Sequence, residues 1–122
     1  APSTNNQLVS IIYLSPVANL FLKFRSSYLN DNSRNYIKSL MSSVNPSQTW
    51  GISAGSNQYY IKNGWLALSS PWPWYVDSIG FIPGANNDGY TIAVYTDNNI
   101  PMSVGVNMIE SLARATKSIG VE

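Results

Sequence analysis

Apolar residues change their spacing twice along this chain of 122 residues. Val17, Leu20, Phe21, Phe24 and Tyr28 recur three or four positions apart, which places them on one helical face. Ser15-Pro16 just ahead offers an N-cap side chain and a proline at the first helical position, where its missing N–H costs nothing. A second stripe of Tyr36, Ile37, Leu40, Met41 and Val44 follows the capping residues Asn30-Asp31-Asn32 and stops at Asn45-Pro46. Two short amphipathic helices so closely joined predict a helical hairpin. Residues 1–12 have few charges and no clear period beyond the apolar patch at Leu8 to Ile12, and read as a connector.

Past Gly51 the pattern becomes that of strands. Residues 58–68, 74–82 and 90–96 are rich in Tyr, Ile, Val and Trp. Turn-forming clusters bound them at Ser69-Ser70-Pro71, at 83–89 and at Asp97-Asn98-Asn99. Connections this short predict an antiparallel meander of three strands. After Pro101, the positions Gly105, Met108, Ile109, Leu112, Ala113, Thr116 and Ile119 mark a last helix that ends at Gly120.

The predicted fold class is α/β in the α+β sense: a helical hairpin, a three-stranded antiparallel sheet and a C-terminal helix. It forms a single partial domain over 1–122, with connector and helical-lobe helices in 1–50 and the strands and last helix in 51–122. One terminal helix covers only part of one sheet face, and two sheet edges stay open. The chain is therefore expected to pair with a further segment or to self-associate.

Composition narrows the function classes. Hydrophobic residues at 44% and charged ones at 11% describe a globular chain. A net charge of +1 without a Lys/Arg cluster argues against nucleic acid as a partner. No apolar run reaches the length of a membrane span, and Ala1-Pro2-Ser3-Thr4 does not read as a signal peptide. Cys and His are both absent, which removes thiol nucleophiles, the usual zinc ligand sets and every Ser-His-Asp device. No cofactor is expected. Abundant Ser, Asn and Tyr with sparse charge lean toward a secreted or extracytoplasmic protein.

The most specific feature is an ordered series. Gln48-Thr49-Trp50-Gly51-Ile52-Ser53-Ala54-Gly55 leads to Tyr60-Ile61-Lys62-Asn63-Gly64-Trp65-Leu66, then to Trp74-Tyr75-Val76-Asp77-Ser78-Ile79-Gly80-Phe81. The series resembles the C-terminal region of class A β-lactamase-like, penicillin-recognising serine hydrolases of bacterial type. There a Trp-Gly pair precedes a strand bearing Lys-Thr-Gly, Lys-Ser-Gly or Lys-Asn-Gly, and a strand similar to W-x-V-N-S-I-G follows. The resemblance runs from Leu14-Ser15-Pro16 to Ile119.

In such enzymes a serine of a Ser-x-x-Lys turn attacks an amide or ester carbonyl and forms an acyl-enzyme. The resemblance implies that Lys62 helps to bind a substrate carboxylate and biases local proton positions. Asn63 stands where Thr or Ser usually donates a hydrogen bond to that carboxylate. Gly64 lets substrate lie along the strand edge. The backbone N–H of Trp65 is one of two oxyanion-hole donors, worth ~3–4 kcal/mol of barrier in comparable sites. The second donor belongs to the nucleophilic serine, and no Ser-x-x-Lys occurs in this sequence. The function implied is therefore the C-terminal segment of an acyl-transfer hydrolase acting on a β-lactam or a cell-wall-like amide or ester. Its partner would be an N-terminal segment carrying that serine, in a second chain or a precursor.

Plainer readings compete with each of these. Lys62 can be a strand-edge lysine that deters aggregation. Asn63-Gly64 is a common type I′ turn dipeptide, and a hairpin there would split the strand. Trp50, Trp65, Trp72 and Trp74 suggest a Trp-rich groove in a non-catalytic peptide- or glycan-binding module, although such residues are more often core or groove wall. Asp77 and Ser78 are expected to face solvent or to hydrogen-bond locally, Asp88 and Asp97 to sit in turns, and Met41, Met102 and Met108 to fill helix cores.

Overall fold

The computed structural model describes residues 8–11, 28–69, 72–84 and 89–119. The helix expected from Ser15 lies outside them, except that Tyr28 stands in a turn.

Helix α1 spans Asp31–Ser42. The Asn30 side chain caps it by accepting the Ser33 N–H at 2.9 Å, which satisfies one of the donors a helix start leaves open. Asp31 in the first turn suits the positive end of the helix dipole and pairs with Arg34 at 3.3 Å. At the other end the hydroxyls of Ser42 and Ser43 bond back onto the Ser39 carbonyl, a local competitor of the helical ladder. Asn45-Pro46 then opens a short 3-10 turn at Pro46–Gln48. The helix packs against the first strand of the meander, yet none of its residues is buried. Tyr36 is 65% exposed and Leu40 is 52% exposed, so part of the apolar stripe lies in the open.

The three expected strands form as one antiparallel sheet: β2 at Tyr60–Ser69, β3 at Trp72–Pro83 and β4 at Gly89–Asn99. A fourth strand was not expected. Leu8–Ile11, read from sequence as connector, forms β1 and pairs antiparallel with β4, giving the order β1-β4-β3-β2. The apolar patch there was a strand too short to show a period. β4 runs through Asp97-Asn98-Asn99, where a turn was expected, because both neighbouring strands hold it: Leu8 of β1 stands opposite Asp97, and Trp74 of β3 stands opposite Asn99 beyond a register shift.

Helix α2, Met102–Ser118, covers the inner face of the sheet. Every second strand residue points there: Ile61 from β2, Val76 and Ile82 from β3, Ile92 and Val94 from β4. They meet Ile109 and Ala113 of α2 and Ile52 of a short 3-10 turn, Ile52–Gly55. Burying each of the larger side chains is worth about 1.5–3 kcal/mol, which makes this layer the main source of stability. Met102 packs against this core from the start of α2, and Met41 and Met108 are half-buried. Gly105 sets the closeness of helix and sheet, because a Cβ there would stand 2.8 Å from that of Val76.

Candidate functional site

The Lys-Asn-Gly series lies in the middle of β2, and the strand passes through it unbroken. Lys62 stands opposite Ile79, Asn63 opposite Ser78, Gly64 opposite Asp77 and Trp65 opposite Val76. A hairpin turn at Asn63-Gly64 is thereby ruled out. Because side chains alternate along a strand, Lys62 is exposed while Asn63 is only 4% exposed.

Asn63 is where the structure departs from the expected site. Its Nδ2 donates to the carbonyls of Gln48 at 2.8 Å and Trp50 at 2.6 Å. Its Oδ1 accepts the Ser78 hydroxyl at 2.6 Å. Both donor hydrogens are engaged inward, so the carboxamide has nothing left to offer a substrate carboxylate. The side-chain role expected for Asn63 does not fit this geometry. The physical reason is strand parity, which gives position 63 to the same face as Ile61.

Ser78 differs from its expectation for the same reason. It is fully buried beside Val76 and Gly80 in the alternation, and its partners are distant in sequence. While donating to Asn63 it accepts the Ile52 N–H at 3.0 Å. Gly51 completes the arrangement, with φ of 95° and no room for a side chain: a Cβ would stand 2.8 Å from that of Ser78. Its own N–H donates to Glu110 of α2 at 3.4 Å. Sequence reasoning missed Ser78 and Gln48 as partners of the motif. The inward parity of Val76, Ser78 and Gly80 was the available signal for Ser78; the Gln48 carbonyl left none.

The other edge of β2 has no neighbouring strand among the described residues. Which backbone groups reach it follows from hydrogen bonds deeper in the sheet. The Val76 carbonyl accepts the Thr96 hydroxyl at 2.7 Å and is thus turned toward β4. In an antiparallel strand the N–H and C=O of one residue share a side and alternate with the next. Asp77 therefore turns toward β2 and bonds there with Gly64, while Trp65 stands opposite Val76 without bonding to it. The Trp65 N–H faces the open edge. The Asn63 carbonyl shares that parity, and it accepts Lys62 Nζ at 2.5 Å. The close contact of Asn63 with Ser78 is also what a non-hydrogen-bonded pair allows.

Gly64 lies between these groups, and a Cβ built on it would meet nothing within 4 Å. Trp65 is 40% exposed and its ring meets Trp50 edge-to-face, centroids 5.7 Å apart. Trp74 is partly buried against the core. Asp77 is half-buried. Burial raises its carboxyl above the ordinary value, a hydrogen bond from the Thr96 backbone opposes this, and the charge of Asp97 adds to the rise. Among the described residues no cluster of His, Cys, Asp or Glu could hold a metal ion, and no helix is long and apolar enough to cross a membrane.

No family profile and no curated protein matches the sequence. Solved structures do match the fold. An acyl-enzyme complex of a point mutant of PBP-A with penicillin G superposes with a TM-score of 0.68 at 19% identity, over 84% of this chain and 38% of that one. A second structure of PBP-A superposes with a TM-score of 0.66, again with 19% identity, over 84% of this chain and 37% of that one. The fold is thus that of part of a penicillin-binding protein, and the chain spans less than two-fifths of the length of these structures.

Proposed function

We propose that this chain is the C-terminal segment of a β-lactamase-like serine hydrolase and forms one wall of its acyl-transfer site. The observation that carries the reading is the outer edge of β2. It presents a backbone N–H at Trp65, an ammonium at Lys62 and an unfilled glycine position between them. An acyl carbonyl lying along this edge would receive the Trp65 N–H as it becomes an oxyanion. Gly64 fits the same reading. A glycine inside a strand costs roughly 0.5–1 kcal/mol relative to alanine, and no described neighbour requires one here, whereas close approach of a ligand would. Asn63 contributes through its backbone and not its side chain.

The nucleophile is assigned to a Ser-x-x-Lys segment outside this sequence, in a precursor or a second chain. The substrate class is a β-lactam or a cell-wall-like amide or ester, and the site of action is extracytoplasmic. Two of the observations favour this over a glycan-binding groove. The Trp50 ring meets Trp65 edge-on and Trp74 is packed against the core, so these indoles do not form a row of open stacking platforms.

The test is acylation by a fluorescent penicillin or a chromogenic ester. The 122-residue chain alone is expected to show no covalent label. The assembly with a serine-bearing segment is expected to be labelled, and Lys62→Ala should slow that labelling by roughly tenfold to a thousandfold, about 1.4–4 kcal/mol of barrier, without changing the circular dichroism. Lys62→Arg should recover part of the rate, since it keeps the charge but not the ammonium geometry. If Lys62→Ala reduces solubility and leaves the rate untouched, the lysine is an edge guard and the reading is wrong.

A further inference from the structure

The side chain of Asn63 sits inside the motif that defines the proposed site, yet it points away from it. The buried carboxamide joins three pieces of chain that are far apart in sequence: the Gln48–Trp50 stretch, β2 itself and Ser78 on β3. Ser78 passes the connection on to the Ile52 N–H. The segment so fastened carries Trp50, whose ring meets that of Trp65. Trp65 is the residue whose N–H faces the open edge.

We infer that Asn63 and Ser78 are positioning residues: they latch the Gln48–Ile52 segment to the inner side of β2 and so fix the Trp50–Trp65 pair behind the strand edge. What the latch serves rests on the acyl-site reading above, but its existence does not. A hydroxyl at position 63 could donate to one carbonyl only, so it cannot replace a carboxamide that donates to two and accepts from a third group. The latch therefore makes a prediction opposite to that of the family resemblance. Asn63→Thr would restore the residue type usual at this position, and by resemblance it should be benign. By the latch it leaves a buried carbonyl unsatisfied and releases the segment. Lys62 is then the one side chain of the motif left to meet an acidic group on a ligand.

The experiment needs no substrate. Two indoles held at a fixed angle give an exciton couplet in circular dichroism, and Trp50→Phe identifies the share that belongs to this pair. In Asn63→Thr that share should be lost while the rest of the spectrum keeps its folded form. Amide exchange gives the second readout: the Ile52 N–H should exchange at least tenfold faster in the variant, with the Val94 N–H unchanged. An intact couplet in folded Asn63→Thr would overturn the latch, as would rapid exchange of the Ile52 N–H in the native chain. Should Asn63→Thr fail to fold, Ser78→Ala decides. It keeps both Asn63 donors and should preserve the couplet while the Ile52 N–H alone is released at least tenfold. Unchanged exchange there refutes the inference. A failed acylation test with these results in place would sink the proposed function and leave the latch standing.

Discussion

Strand β2 has two sides that obey different rules. Toward the core it presents Ile61 and Asn63, the first sealed against Ile52 and the second with its polar atoms paired. Away from the core it presents Lys62, Gly64 and a backbone edge that no described strand covers. The inner side is determined by packing, where any change leaves a void or an orphaned polar group. On the outer side the described chain adds the contact with α1, where Lys38 lies over the Tyr60 ring, and leaves Gly64 facing open space. A strand that is over-determined on one side and open beside its glycine on the other is what a rigid scaffold for a ligand edge requires.

The contrast can be broken most directly from the core. Ile109 of α2 is fully buried among strands β2 to β4. Ile109→Ala should lower unfolding stability by about 2–5 kcal/mol, read as a fall in the urea midpoint at constant slope. Leu40→Ala, on the open face of α1, should change it by less than about 0.5 kcal/mol. If Leu40→Ala costs as much as Ile109→Ala, α1 is buried in solution, and self-association seen by sedimentation would be the reason.

Glycines sharpen the same contrast at single-residue scale. Gly51→Ala places a Cβ against Ser78 on a backbone at positive φ, which should cost about 1–3 kcal/mol. Gly64→Ala meets open space and should be neutral or stabilise by up to about 1 kcal/mol. In the assembled enzyme it should nonetheless slow acylation, because a methyl group would occupy the ligand's side of the strand. Thermal denaturation and labelling rates together check both halves. A Gly64→Ala variant that is stable and fully active would remove the glycine from the site.

How much of this was legible in sequence follows the same division. The three long strands and the last helix could be read because their alternation is driven by burial, which leaves a period in the residues. The Lys62–Trp65 series was found through its place in an ordered run, not through its own chemistry. What escaped was set by pairing. Leu8–Ile11 is too short to show a period, and its partner β4 lies more than eighty positions away. Asn63 was read through the resemblance as a ligand donor, and Ser78 as a mid-strand polar residue that faces solvent or bonds locally, when their register already gave them to the inner face. Asp97 was placed in a turn by its neighbours Asn98 and Asn99, and the ladder with Leu8 overrode that local preference.

Asp77 supplies the smallest expected effect, and the one that probes the boundary between the two sides. It stands opposite Gly64 on the half-buried outer face of β3. Burial holds its carboxyl above the ordinary 3.8, with Asp97 adding to the rise and the Thr96 backbone hydrogen bond opposing it. A raised carboxyl means that the folded chain binds this proton more tightly than the unfolded one. Stability from this group is then present below pH 3.8 and falls as pH rises through the raised folded value. Asp77→Asn keeps an oxygen that can accept the Thr96 hydrogen bond and removes the buried charge. The variant should lack that decline, so that its urea midpoint relative to the native chain is lower or equal in acid and higher at neutral pH. A parallel pH dependence in the two proteins would show that Asp77 titrates as if in water. The outer face of the sheet would then be fully solvated beside Gly64, and the edge would be open more widely than the burial of Asp77 implies.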